Sequence, residues 1–591
     1  MHIKSNFLKI KQFFQTDDRR IYLEFAIVSL FIFWPLLIRG GYVFAIDMVF
    51  VPQIRFPREI DPYTILHFFM WLVNWVIPST IVQKIMLCLV PFLSGVGMYR
   101  LIPTESRWPR YFAAFFYIFN PFTYSRFLYG HLLILLSYAL IPFAVRAIID
   151  FFSAPTRRSA LRVVGWLVLI TLIDFRTIFF VLLFFAVYWL CTEITLLMRD
   201  GRSACRRDSQ FVRLILWSVV VAVVFVLLNS FWLIPAFFGQ NSLVSWVKTQ
   251  ISDQNFDVFT TVSDANVGVY WNTAAMYGFW GDRERQYVVQ KEVIPYWFWV
   301  FLALFALVLW GLVSTLFLRR RWKLYPNDQP ATGPPLLLTL TIVALFSWVF
   351  VVGFASPYTR IVVSWLYSHI LYLRGYREPQ KFIALIVLAY AYLGALGFNN
   401  IIVLLKQSAF IKKNKQVYPS IVFLIVILPL LYSPALFSAF GNQLYLSWYP
   451  AGWYEVNNIL NDDPDDFRTL FLPWHQYLEF AFSGKIIANP AEDFFDQPVI
   501  AGDNIEIGQI YSQSTRPESR VIEENIVLRQ DKSERLIETL NQLNFKYVIL
   551  ATGGTFWAYD SLDTTAGLAE VYRSPDIVLY RNITWRPAAI H

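Results

Sequence analysis

Half of the chain's fifty Lys and Arg residues fall in six short segments separated by long apolar stretches. The segments are 1–20, 100–110, 146–162, 199–213, 319–323 and 406–415, and they hold 5, 3, 4, 5, 4 and 4 basic residues. Loops on the cytoplasmic side of a membrane collect Lys and Arg, and short loops near span ends weigh most. The pattern therefore predicts a chain threaded repeatedly through a membrane, with these six segments inside. The intervening regions 39–84, 121–130, 174–176, 239–295 and 355–381 would face outward, and they carry only 14 basic residues. The N-terminus is expected in the cytoplasm, and everything beyond about residue 441 outside.

A membrane span needs roughly 20 apolar residues. The sequence, 57% hydrophobic, offers eleven candidates: 21–38, 85–99, 111–125, 127–145, 160–173, 177–198, 214–238, 296–318, 335–354, 382–405 and 418–438. The expected fold class is an all-α polytopic membrane domain over 1–440 with a small extracytoplasmic α/β domain over 441–591. Charge divides at the same boundary: residues 1–440 carry a net +19 and residues 441–591 a net −10. The basic excess sits in the inner loops, where it meets anionic lipid heads, so the high overall charge does not point to nucleic acid. The three cysteines lie outside the C-terminal domain, which excludes a disulfide framework there.

Three outer regions hold most of the polar chemistry. In 39–84, Asp61-Pro62 is a helix start, since Asp caps and Pro fits the first turn. The aromatic stretch after it, 63–77, reads as a helix lying in the interface. The loop 239–295 mixes Asp253, Asp257, Asp264, Asp282 and Glu284 with Trp246, Tyr270, Trp271, Phe279 and Trp280. A loop of that length is usually functional or disordered, and its aromatic content argues for function. The region 355–381 ends in a dense ionic run. After 441 the periodicity changes to strand 467–472, helix 532–543, strand 546–550 and a hairpin over 569–580 turning at Ser574-Pro575-Asp576. No metal spacing, phosphate loop or nucleophile elbow is present there, and Asn582-Ile583-Thr584 is a sequon by pattern.

Ionisable groups at mid-depth in a span mark ion paths, and the apolar spans are nearly free of them. The candidates gather at the outer rim. Asp47, just beyond the first span in apolar surroundings, could act as a general base, or as a cap or partner of Arg39 or Arg55. Asp174 and Arg176 form the turn between two spans. They could hold a metal and a phosphate, or close a helical hairpin as a local ion pair. Arg126, Tyr129 and His131 cluster between two spans, with His131 either a ligand or an interfacial hydrogen-bonding residue. Arg374, Arg377, Glu378 and Lys381 suit a phosphate-bearing lipid head, or snorkel at the boundary.

A first span ending in an exterior Asp, followed by an interfacial helix, resembles the GT-C superfamily of integral-membrane glycosyltransferases. The run Asn120-Pro121-Phe122-Thr123-Tyr124-Ser125-Arg126-Phe127-Leu128-Tyr129-Gly130-His131, continuing to Tyr138 and Pro142, is similar to the membrane part of its mycobacterial arabinofuranosyltransferases, as is Arg377-Glu378-Pro379-Gln380-Lys381-Phe382. The resemblance covers roughly 20–440. It implies transfer of a sugar from a polyprenyl-phosphate carrier to an extracytoplasmic glycan, lipid or protein acceptor, usually with inversion. Asp47 would be the base, with Asp174, Arg176, His131, Arg374, Arg377, Glu378 and Lys381 binding substrate. It also leaves room for a divalent metal, Mg or Mn, with Asp47 and Asp174 as candidate ligands. Two other readings stand beside it: a lipid-linked sugar flippase or transporter, which calls for internal repeats and mid-depth polar groups, and a non-catalytic envelope assembly protein.

Overall fold

The computed structural model describes residues 17–57, 60–199, 204–239, 253–318, 333–504, 506–507, 510–511, 514, 516–529 and 535–587. The cationic segment 319–323, most of 1–20, part of 199–213, and Trp246 lie outside the described residues.

Among the described residues, eight helices are long and apolar enough to cross a membrane: Arg19–Leu37, Ser79–Leu101, Leu132–Ser153, Ile178–Thr195, Phe211–Phe238, Trp297–Phe317, Pro334–Ala355 and Pro379–Gln407. A ninth span results if Val417–Tyr432 and Pro434–Asn442, bent by 62°, count as one. The chain is a multi-pass membrane protein. The eleven expected spans thus fall to eight or nine among the described residues. The stretch 111–125 is not one helix: Arg107–Ile118 stops and Pro121–Tyr129 starts anew. Asn120 breaks it, its side-chain amide donating to the carbonyls of Phe116 and Tyr117 while its oxygen accepts from the Thr123 amide, and Pro121 fits the first turn of the second helix. Twelve residues cover only about 18 Å. The stretch 160–173 sits on Arg157–Ile173, 17 residues, about 26 Å long and short of a hydrocarbon core of about 30 Å.

The helix Ile383–Gln407 is buried along most of its length. It meets Trp297–Val313 backbone to backbone: a Cβ on Gly311 would lie 1.9 Å from the Leu393 carbonyl oxygen, and one on Gly397 2.2 Å from that of Leu307. Such close approach needs glycine and is how membrane helices gain dispersion contact.

The expected interfacial helix is Thr64–Asn74, with none of its residues buried. Asp61 starts it, accepting from the Tyr63 amide and the Thr64 hydroxyl. Phe69, Leu72 and Trp75 are exposed.

Beyond 445 a five-stranded sheet runs in the order Leu568–Arg573, Ile577–Asn582, Phe545–Ala551, Arg468–Leu472, Val499–Ile500. The first two pairings are antiparallel and the last two parallel. Successive residues of a strand face opposite sides. Leu470 and Leu472 accordingly pack on Leu536 and Leu540 of the helix Leu536–Gln542, while Phe471 packs on Trp453 on the other face. That second core also takes in Tyr42, Phe44 and Val51 from the first loop. Tyr42–Val43 pairs antiparallel with Leu446–Ser447, and the Ala488 amide donates to the Ile46 carbonyl at 2.8 Å. The loop carrying Asp47 is therefore folded into the C-terminal unit. Asn582 of the sequon is buried, its amide donating to Asn541 and the Phe545 carbonyl.

Candidate active site

Asp47 sits in a tight turn in which Ala45 and Met48 exchange both backbone hydrogen bonds. Its own amide donates to the Tyr129 carbonyl at 3.1 Å. Gly130, next to Tyr129, has φ +89°, a conformation that favours glycine, and a Cβ there would lie 2.5 Å from the Met48 nitrogen and 2.8 Å from that of Asp47. The helix Pro121–Tyr129 thus presses its C-terminal end against the Asp47 turn.

The Asp47 carboxylate takes one partner per oxygen. His131 Nε2 lies 2.9 Å from Oδ2, and the Tyr477 hydroxyl donates to Oδ1 at 2.8 Å. Burial works against ionisation, but these bonds outweigh it and hold the carboxyl below the usual range. Behind His131 stands Arg126, wholly buried. Its Nη1 is 2.9 Å from His131 Nδ1 and 3.1 Å from Glu378 Oε2. Lys381 Nζ donates to Glu378 Oε1 at 3.1 Å. Burial alone would raise the Glu378 carboxyl, yet Lys381 and Arg126 keep it well below the ordinary value. Glu378, Arg126, His131, Asp47 and Tyr477 form one continuous chain of polar contacts.

Two cavities share Asp47. The larger, about 640 Å³, runs past Met48, Phe50 and Leu133 to His67 and Met70 of the helix Thr64–Asn74, and to Glu492 and Arg516 of the C-terminal unit. The smaller, about 200 Å³, is lined by Tyr129, Trp280, Arg377, Glu284, Tyr477 and Glu506, among others. Arg377 stacks on the Phe259 ring, 4.8 Å from its centroid, and makes no ion pair within 4.0 Å among the described residues. By contrast, Arg516 in the larger cavity is paired with both Glu492 and Asp503.

The predicted site residues separate under this geometry. Asp47, His131, Arg377 and Glu378 come together. Lys381 stands behind them, pointing at Glu378 rather than at a cavity wall. Arg374 turns away, its Nε donating to the Tyr367 carbonyl. Asp174 and Arg176 satisfy each other: Nε and Nη2 of Arg176 bind the two Asp174 oxygens at 2.9 and 2.8 Å, and the Arg176 amide adds a third bond. This is the geometry that a hairpin-closing ion pair calls for. Among the described residues no group of three His, Cys, Asp or Glu side chains gathers as a metal ligand set. Asp47 is bonded to His131 and Tyr477 and Asp174 to Arg176, so the two candidate ligands are engaged elsewhere and do not gather into a metal site among the described residues. One participant, Tyr477, escaped the sequence reading, since it has no local signal at all. Arg126 was singled out beside Tyr129 and His131, but nothing in the 120–131 run marked its contacts with His131 and Glu378.

Searches for related sequences matched no family model and no curated protein. Solved structures do match. The chain's fold is similar to that of the arabinofuranosyltransferase AftD from Mycobacteria. A cryo-EM structure of AftD aligns with a TM-score of 0.59 at 15% identity, covering 97% of this chain and 40% of AftD. A structure of AftD bearing a point substitution gives 0.59 at 14% identity, covering 95% of this chain and 41% of that one. The alignment to AftD takes in the C-terminal unit as well as the membrane helices, and this chain spans about two fifths of AftD's length. At such identity the likeness is one of fold.

Proposed function

We propose that the chain is a membrane glycosyltransferase that moves a sugar from a polyprenyl-phosphate carrier to an acceptor hydroxyl on the face of the membrane that bears the C-terminal unit. That face is the extracytoplasmic one in our reading, from the placement of the six cationic segments. One observation carries the proposal: Asp47 borders two cavities at once, as a base between two substrates must. Similarity to the AftD fold supports the reaction class.

Arg377 is our candidate for the donor phosphate, because it lines the smaller cavity without an acidic partner and a phosphate calls for an available cation. The acceptor then approaches through the larger cavity, where Arg516 is paired with Glu492 and Asp503 and Arg55 donates to the Glu492 carbonyl. The acceptor oxygen attacks the anomeric carbon as the bond from that carbon to the phosphate oxygen breaks. The hydroxyl proton passes to Asp47, and the carrier leaves as polyprenyl phosphate. Attack from the face opposite the leaving group inverts the centre. A carboxylate suffices as base because the hydroxyl becomes acidic as it bonds to an electron-poor carbon. Holding Asp47 ionised keeps the base ready at neutral pH.

The test is Asp47→Asn, which retains size but accepts no proton. With a panel of polyprenyl-phosphate sugars as donors, turnover is expected to fall by about 10²–10⁴-fold while donor binding persists. Undiminished transfer by the Asn variant overturns the assignment. Donor binding lost together with folding would point to the assembly-protein reading instead.

A further inference from the structure

Arg126 belongs neither to a cavity wall beside Asp47 nor to any contact with it, yet its side chain is fully buried beside the site. A guanidinium has five N–H donors and no acceptor. Its Nη1 lies 2.9 Å from His131 Nδ1, and this contact is a hydrogen bond only if Nδ1 carries no proton. The ring is then neutral with its proton on Nε2, the atom 2.9 Å from Asp47 Oδ2. Arg126 itself is held in place. Glu378 accepts from the same Nη1 at 3.1 Å, Phe279 lies under the guanidinium with its centroid 4.0 Å away, and the His131 amide donates to the Arg126 carbonyl at 2.9 Å. Arg126 also lines a small space with Gln290 and Gln380, and its Nε and Nη2, like the side-chain oxygens of both glutamines, are buried without a hydrogen-bond partner among the described residues. The two edges of the guanidinium thus have different surroundings, and only one serves His131.

We propose that Arg126 is a positioning residue: it fixes His131 as the Nε2–H tautomer, and so aims the Asp47 carboxylate and keeps the partner of its Oδ2 a neutral donor. The inference rests on Asp47 being the base. The charged groups facing His131 are Asp47, Arg126 and Glu378. Burial depresses the pKa of His131, Asp47 opposes that, and Arg126 adds to it. With Arg126 removed, His131 is free to protonate at Nδ1. It then pairs with Asp47 as an imidazolium, draws charge from the base, and carries the acid limb of activity to higher pH.

Two measurements decide the matter. In histidine-¹⁵N-labelled full-length protein in lipid, His131 is identified by its loss in His131→Gln. It is expected to show an unprotonated Nδ1 and a protonated Nε2 at neutral pH, and to change in Arg126→Gln. This readout needs no turnover, so it decides the tautomer even where the transfer reading fails. The second is a double-mutant cycle. His131→Gln keeps an N–H for Asp47 but has no tautomer to set. Arg126→Gln is expected to lower turnover by about 10²-fold in wild type, the cost of a misaimed group, and to raise the acid limb. In the His131→Gln background its cost should shrink to about twofold, the scatter of independent sites. Arg126→Lys, which can still donate to Nδ1, should restore most of the activity. An Nδ1–H tautomer in the wild type, or an equal cost of Arg126→Gln in both backgrounds, overturns the proposal.

Discussion

The Tyr477 hydroxyl donates to Asp47 Oδ1 across 430 positions of sequence, so the C-terminal unit supplies one of the two side chains that hold the candidate base. The site is assembled jointly by the membrane helices and the folded unit above them. Tyr477→Phe removes one of the bonds that lower the Asp47 pKa, leaving burial, which raises it, less opposed. A depressed carboxyl keeps its charge down to its own pKa. Once the pKa rises, the ionised base is lost at higher pH as acid is added. The acid limb of kcat/KM should move up by less than about one pH unit, since Asp47 is partly exposed and a bond to a charged group contributes about 1.5–3 kcal/mol when well buried. A limb that stays where it was would mean that Asp47 does not titrate in the reaction.

Arg377 and Arg374 give a paired test of the donor contact. Arg377 lines the cavity beside Asp47, whereas Arg374 is bonded to the Tyr367 carbonyl. Arg377→Gln is expected to raise KM for the donor by about 10-fold or more, the worth of one charge-assisted contact, with a smaller change in kcat. Arg374→Gln should leave donor KM near the wild-type value and act on thermal stability instead. Equal donor effects from both would show that the segment works as a diffuse cationic patch.

Asp174 and Arg176 should behave as structure. The Asp174 side chain is 0% exposed and Arg176 supplies its charge partner. Arg176→Ala strands that carboxylate, and removing one member of a buried pair costs about 3–5 kcal/mol. The Arg176 side chain is 32% exposed, which favours the lower end of the range. A marked fall in Tm in detergent, with donor KM unchanged in the protein that remains folded, is the expected result. A raised KM at unchanged Tm would return this pair to the donor site.

Much of this was legible in the sequence, for definite reasons. Cationic loops and apolar stretches are local signals, and the short runs 467–472 and 546–550 marked two strands of the sheet because they are rich in apolar residues and buried almost throughout. Asp47 could be singled out because it stands alone beyond an apolar helix. The run 374–381 looked like a phosphate cradle because sequence lists its charges without their partners. Glu378 turns out to spend both oxygens on Lys381 and on Arg126, 252 positions away, and no local pattern carries a pairing of that range. The break at Asn120 was hidden because the apolar content on both sides of it is continuous.

Gly130 makes the sharpest test of how Asp47 is held. Its φ of +89° penalises any other residue, and left-handed backbone costs an alanine about 1–2 kcal/mol. That cost alone would only lower stability. At Gly130, however, the new methyl would also strike the backbone nitrogens of Met48 and Asp47, at 2.5 and 2.8 Å, and backbone cannot rotate out of the way. The turn must move, taking the carboxylate away from His131 and Tyr477. Gly268 supplies the control: its φ is +71°, but nothing lies within 4 Å of a Cβ there. Both alanine variants should lose a similar part of their thermal stability from the strained backbone. Gly130→Ala should in addition lose turnover by about 10²-fold, the effect of a displacement of about 1 Å at a reacting group, whereas Gly268→Ala should transfer sugar at close to the wild-type rate. If the two variants lose activity alike, the contact of helix Pro121–Tyr129 with the Asp47 turn does not position the base.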